Sequence, residues 1–307
     1  MATSSTFYLN GPSLASATAA FTDDNLTICA ADGFYSDGVI VREQLGCVLL
    51  PQQTCPACAT PCGEAITASG AQGIYLVNLE TGTDIGAIVI RFDPASVPDG
   101  IRATFNSVVY NKLTSPVDGL HQSSGASDFT VVGATGADCG LAGNTTNFPT
   151  ITEFLYNGTA FVATGNTQSL TIYPGDVSLG AAPGNCMLVI PKTTASPSIV
   201  NIEIIGPCGG TAWSIEANCP ALLPGFSSSF GYVSSITACA ASLTQTYYHA
   251  SLDNTPGSID VYDFVYFNDN GSVPLSDGYY NATGSITGGA DYFQVTNGVV
   301  VAVGNCP

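Results

Sequence analysis

Apolar residues along this chain occur in short runs, alternating with polar ones or forming brief β-branched blocks, and Asp, Asn, Pro or Gly cuts each run off after a few positions. The series Ile88-Val89-Ile90-Arg91-Phe92-Asp93-Pro94, Val97 to Phe105 and Val108 to Leu113 shows this most plainly. A period of two bounded by turn formers is the signature of antiparallel strands joined by tight turns. Phe154-Leu155-Tyr156, Ser169 to Tyr173, Met187 to Ile190, Ile199 to Ile205 and Gly210 to Ala217 continue the pattern. No stretch longer than about ten residues keeps a helical period. The fold class expected is all-β, with a central antiparallel β-sandwich over residues 64–219.

The two ends of the chain carry one pattern twice. Thr6-Phe7-Tyr8-Leu9, Ala20-Phe21-Thr22-Asp23-Asp24-Asn25, Asp32-Gly33-Phe34-Tyr35, Asp37 to Val41 and Cys47 are matched in order near the other end. The counterparts are Thr246-Tyr247-Tyr248-His249, Val265 to Asn270, Asp277-Gly278-Tyr279-Tyr280, Asn297 to Val301 and Cys306. The spacing from Asp24 to Asp32 equals that from Asp269 to Asp277, so the copies align there without a gap. The second copy carries an extra segment from Asn281 to about Phe293, read as an inserted hairpin. The sandwich is thus expected between two small related Cys-containing β modules, residues 1–50 and 238–307, joined by a Cys/Pro-rich linker (51–63) and a Ser/Pro-rich one (220–237). Modules of this size bury little apolar area and call for covalent staples.

Eleven cysteines supply them. Cys239 with Cys306 brackets the second module, and Cys29 with Cys47 does the same for the first. Cys208 with Cys219 and Cys139 with Cys186 are the further pairs proposed from position. Cys55, Cys58 and Cys62 have metal-like spacing, but a zinc site wants four ligands and no second Cys-x2-Cys is present, so disulfides are the preferred reading. Disulfides persist in oxidising surroundings, whereas the first residues lack the apolar core of a secretory signal and no run is long enough to cross a bilayer. A virion component oxidised after lysis, or a mature secreted chain with an added Met, reconciles these facts.

Charge removes one class of function. Five Lys and Arg against 23 Asp and Glu give a net charge of -18, and no basic footprint for a nucleic-acid backbone can be assembled. Carboxylates can instead recruit Ca2+, and Asp24, Asn25, Asp32, Asp269, Asn270 and Asp277 are the candidate ligands, weighed against the ordinary use of Asx residues in turns. No other cofactor is implied. Asp93, Asp99 and Asp118 beside Arg91 and Arg102 read as structural ion pairs, and Trp213 as core. His121 and His249 lie in different segments, no Gly-x-Ser-x-Gly elbow is present, and no carboxylate pair stands out, so no enzyme activity is expected. The remaining assets are tyrosines of the end modules, Tyr8, Tyr35, Tyr248 and Tyr280, which in strand doublets send one ring outward to stack on a sugar or pack on another subunit.

The run Phe92-Asp93-Pro94, Val97-Pro98-Asp99-Gly100-Ile101 and Asn106 to Tyr110, closed by Gly210-Thr211-Ala212-Trp213, resembles extracellular jelly-roll domains. With the repeated Asp-Gly-Tyr-Tyr and Asn-Gly-Val-Val-Val modules, the layout resembles tail-fibre and other virion structural proteins of tailed phages infecting aquatic bacteria. The resemblance implies a non-enzymatic virion part that assembles with itself and other virion proteins and contacts a host-surface glycan. A bacterial filament or adhesin subunit, or a carbohydrate-binding module, are the alternatives.

Overall fold

Short alternating segments bounded by turn residues fold, in a computed structural model of the chain, into almost wholly antiparallel β-structure with one α-helix, Ser235–Cys239, among the described residues. The structure describes residues 6–36, 40–51, 53–54, 60–111, 131–133, 139–141, 143–173, 177–179, 186–255 and 257–307. Two compact units result, one of Met1–Thr60 with Leu155–Val162 and one of Pro61–Phe154 with Ala163–Pro307.

In the second unit a four-stranded sheet runs in the order Cys186–Lys192, Gly86–Asp93, Ala212–Ala217, Ala65–Ser69, antiparallel throughout. A nine-stranded sheet has at its centre Gly73–Glu80, Ile199–Gly206 and Asp99–Phe105. The two sheets meet where Trp213 of the smaller packs edge-on against Tyr75 of the larger, ring centroids 5.3 Å apart. Trp213 is core, 3% exposed. Phe92 pairs with Ile215 and shares the Trp213 face, so Ile88, Ile90 and Phe92 point between the sheets. Ala87 and Val89 point the other way, into a cluster with Met187, Val189, Phe264, Tyr266 and Val299. A strand buried on both faces needs a continuous apolar run rather than an alternating one, which is why Gly86–Asp93 reads as it does.

The residues that cover that second face belong to a six-stranded antiparallel sheet, ordered Gly225–Ser228, Gln245–Ala250, Phe264–Tyr266, Val299–Gly304, Tyr292–Thr296, Gly278–Asn281. Its first strand and the start of the helix come from the stretch expected to be a Ser/Pro-rich linker. Phe226 enters the core, and the serines that made the stretch look like a linker are tied down: the Ser228 hydroxyl donates to the Asn281 carbonyl at 2.9 Å, and the Ser229 hydroxyl accepts the Asn281 amide at 3.0 Å. The Asn281–Phe293 insertion closes the hairpin of Gly278–Asn281 with Tyr292–Thr296, and its loop carries a 3-10 turn at Thr287–Gly289.

The first unit is small and buries few large apolar side chains, and a buried guanidinium organises it. Arg42 donates to the carbonyls of Leu50 (2.6 Å), Leu14 (3.0 Å), Ala17 (2.5 Å) and Leu49 (2.7 Å). Gln44 similarly holds Ala20 and Ala30. The basic residues elsewhere also serve the backbone rather than the acidic turns. Arg91 donates to the Ser251 carbonyl at 2.9 and 2.7 Å, and Lys192 to the Asp84 carbonyl at 2.6 Å. Arg102 pairs with Glu203, its cross-strand neighbour, which corrects the expected pairing with Asp93 or Asp99; Asp118 lies outside the described residues.

Candidate assembly surfaces of the repeated module

The repeat is carried by backbone geometry as well as by sequence. Tyr8 pairs with Phe21 and Leu9 with Ala20, as Tyr248 pairs with Tyr266 and His249 with Val265. In the following turn the Asp23 carboxylate accepts the Thr27 and Ile28 amides, and the Asn268 side-chain oxygen accepts those of Ser272 and Val273. The Thr27 hydroxyl, then the Ile28 amide, hold the Asp23 carboxyl below its usual range. Asp32 then accepts the Gly46 amide at 2.7 Å, and Asp277 the Asn297 amide at 2.7 Å. Tyr35 donates its hydroxyl to the carbonyl of Ala31, as Tyr280 does to that of Ser276.

These bonds correct the alignment at its end. The counterpart of Asn297-Gly298-Val299-Val300 is Gly46-Cys47-Val48-Leu49, not Asp37 to Val41, because the paired strands are separated by different lengths of chain: Ser36 pairs with Val41 in one copy, and Asn281 with Tyr292 in the other. Residues 37–39 lie outside the described residues. Cys47 and Gly298 are therefore equivalent, both with φ near 70° (68° and 77°), and Cys29 is equivalent to Pro274. A Cβ on Gly298 would lie 2.8 Å from that of Pro274, and in the first copy a disulfide joins the same two positions.

Four disulfides are present among the described residues: Cys29–Cys47, Cys62–Cys219, Cys139–Cys208 and Cys239–Cys306. They assign the folded chain to an oxidising, extracellular setting. Cys139 takes Cys208 instead of Cys186 because Cys208 and neighbouring Leu141 share one cluster on the larger sheet, whereas Cys186 is buried in the smaller. Cys219 takes Cys62, so the two Cys-Pro boundaries of the sandwich are bonded together. Cys62 thereby leaves the metal-like trio, whose Cys55 and Cys58 lie outside the described residues, as does His121.

The Ca2+ candidates are dispersed by the same turns. Asp32 and Asp277 hold hairpin amides, Asn270 accepts the Ser272 amide, Asp269 gives its carbonyl to Leu223, and Asp24 and Asn25 are exposed. Among the described residues no three His, Cys, Asp or Glu side chains converge to hold a metal ion.

The tyrosines divide by face. Tyr280 is core, stacked on Phe293 at 5.3 Å, which corrects its reading as an interaction residue. Alternation turns Tyr279 outward instead. Tyr35 is half-buried against Phe7, and Tyr248 packs on the cluster that joins module to sandwich. Tyr8, its counterpart, is 40% exposed.

Two surfaces result that sequence reasoning did not define. One is the docking face of the module. In the second copy Phe264, Tyr266 and Val299 cover the sandwich, and Gly271, with φ 73°, sits so close that a Cβ would meet Val189 at 2.8 Å. In the first copy the equivalent positions are Ala19, Phe21, Val48 and Leu26, the last in the same left-handed conformation at φ 58°. The other surface is a groove of about 770 Å³ on the second copy, walled by Phe230, Tyr232, Val233, Phe267 and Tyr279 with Asp277 at its rim. Tyr232 and Tyr279 exchange backbone bonds at 2.9 and 2.8 Å, and the missing side chain of Gly231 lets this wall rest on the Tyr280 hydroxyl.

His249 is buried, with Nδ1 3.3 Å from Asp263 Oδ2 and its ring edge-on to Phe226. Burial pushes the Asp263 carboxyl up, opposed by hydrogen bonds from His249 and the amides of Asp260 and Leu252. Among the described residues His249 Nε2 has no hydrogen-bond partner. Set against protein-family models, curated proteins and solved structures, the chain matches none of them.

Proposed function

We propose that this protein is a non-enzymatic structural component of an extracellular assembly, and that the assembly is the virion of a tailed phage, in which the chain serves as a tail fibre or tail-associated protein. The observation that carries the reading is the duplicated module. One copy is built into the sandwich through an apolar face, and the other leaves part of the equivalent face exposed, at Val48 and Leu26, as a part with a seat on a neighbour would. The disulfides, which stiffen a body that works outside the reducing cytoplasm, support it. So does the use of the turn carboxylates and most of the described cations to hold backbone rather than to form a reactive cluster.

The test is peptide mass spectrometry of gradient-purified particles from the source culture, with the particle-free supernatant as reference. Enrichment of this chain in phage particles, at a stoichiometry fixed relative to the major capsid protein, is the expected result. Recovery only in the soluble fraction overturns the reading.

A further inference from the structure

A cleft of about 530 Å³ opens where the second module meets the sandwich. The sandwich contributes Tyr110, from the strand Val108–Asn111, and Pro191, from the edge strand Cys186–Lys192. The module contributes Tyr266, with Ser272 and Pro274 from the turn that follows it; a backbone bridge ties Pro274 to Tyr266. The volume lies within the range of small-molecule sites, about 300 to 1,000 Å³.

What singles the cleft out is the Tyr266 hydroxyl. Tyr35, Tyr75 and Tyr280 each donate to the carbonyl four residues earlier, at 2.5, 2.5 and 2.8 Å. Tyr266 is only 5% exposed, yet among the described residues its hydroxyl has no such partner, and burial alone pushes its pKa up. A buried hydroxyl left unpaired is costly, and a ligand hydroxyl in the cleft would pair it. Ser272 adds a donor at the mouth, since its Oγ accepts from Asn268 Nδ2 at 2.5 Å and its own proton remains to give. No charged side chain lines the cleft among the described residues, and the nearby Asp277 carboxylate holds the Asn297 amide. A charged ligand therefore finds no counter-charge, and an anion is further opposed by the net charge of -18. Flat Tyr and Pro surfaces beside isolated hydroxyls suit a neutral ring that has a C–H face and a hydroxylated edge.

We propose that this cleft binds a neutral sugar, with a ring packed on Tyr110 and the two prolines and its hydroxyls bonded to Tyr266 and Ser272. The inference goes beyond the assembly reading and does not depend on it. It also places sugar binding at a seam of the fold, away from the tyrosines that the sequence marks at the outer faces of the modules.

The experiment exposes the labelled, non-reduced, full-length protein to an array of neutral glucose-, galactose- and mannose-containing oligosaccharides printed beside sulfated and sialylated ones. The variants are Y266F, Y110A and, as a control in the separate groove, F230A, whose side chain is exposed. Y266F keeps the ring and removes the hydroxyl alone, and intact disulfides by mass report that each variant folds. The wild type and F230A are expected to bind neutral glycans alike, while Y266F and Y110A each weaken binding about tenfold or more. The proposal is overturned if no neutral glycan binds, if only charged glycans bind, if Y266F or Y110A binds like the wild type, or if F230A weakens binding as much as they do. Tyr110-dependent uptake of the apolar dye Nile red, with no glycan bound, also overturns it and gives the cleft to an apolar ligand. None of these outcomes bears on the assembly reading, which enrichment in particles tests separately.

Discussion

Asp99→Asn removes an ionisable group that the fold holds where charge is disfavoured. Asp99 begins a central strand with no exposed surface; its Oδ1 accepts the Thr211 hydroxyl, and its Oδ2 has no hydrogen-bond partner among the described residues. Burial raises its pKa from 3.8 to about 8, against the lowering effect of Thr211. The folded chain therefore keeps a proton that the unfolded chain releases above about pH 4. This group's contribution is fully present below the unfolded value, is lost as pH rises toward 8, and stays level beyond. At about 1.4 kcal/mol per pKa unit the gap sets an upper bound of about 6 kcal/mol, and relaxation around a buried site brings the expected loss to about 2 to 3 kcal/mol. Urea unfolding of wild type and D99N at about pH 5 and about pH 8.5 measures it, because subtraction cancels the other carboxylates. D99N is expected to gain on the wild type by that amount between the two conditions. A stability difference that is constant with pH, or that moves in favour of the wild type at high pH, refutes the reasoning.

Other perturbations follow from single contacts. Gly271→Ala adds a Cβ 2.8 Å from Val189 at φ 73°, and a cost of about 1 to 3 kcal/mol is expected, with faster amide exchange in Phe264–Tyr266. Arg42→Lys cannot reach the carbonyls of Leu14, Ala17, Leu49 and Leu50 together, so the first unit should lose on the order of 3 kcal/mol and become protease-sensitive while the second keeps its protection. Replacing Cys62 and Cys219 together by Ser opens a loop closed across 157 residues, and about 2 to 5 kcal/mol should be lost in a melt under non-reducing conditions.

Much of this architecture is legible in the sequence because it depends on local chemistry. The Asp and Gly positions of the repeated turns fix where hairpins begin, and a two-residue period gives the strands. What sequence leaves open is decided across the fold. Alternation says that one of Tyr279 and Tyr280 points inward, but only Phe293 and the Gly231 wall decide which. Cys139 lies in a turn beside Leu141, which packs on the larger sheet, whereas Cys186 begins a strand of the smaller sheet. Asp37-Gly38 resembles Asn297-Gly298 as a turn signal, and the unequal hairpin loops make Gly46-Cys47 the true counterpart. The docking face is the least legible feature, since Phe264, Tyr266 and Val299 read as ordinary module core until the sandwich is seen to cover them.

Electron microscopy of the purified, non-reduced protein, imaged beside the phage and filament fractions of its source, addresses the central claim most directly. The account predicts assembled species in the pure sample and density in a tail or tail-associated position that accepts the sandwich with both of its modules. Single unassociated molecules, with no density in any particle to which the chain can be fitted, would contradict it.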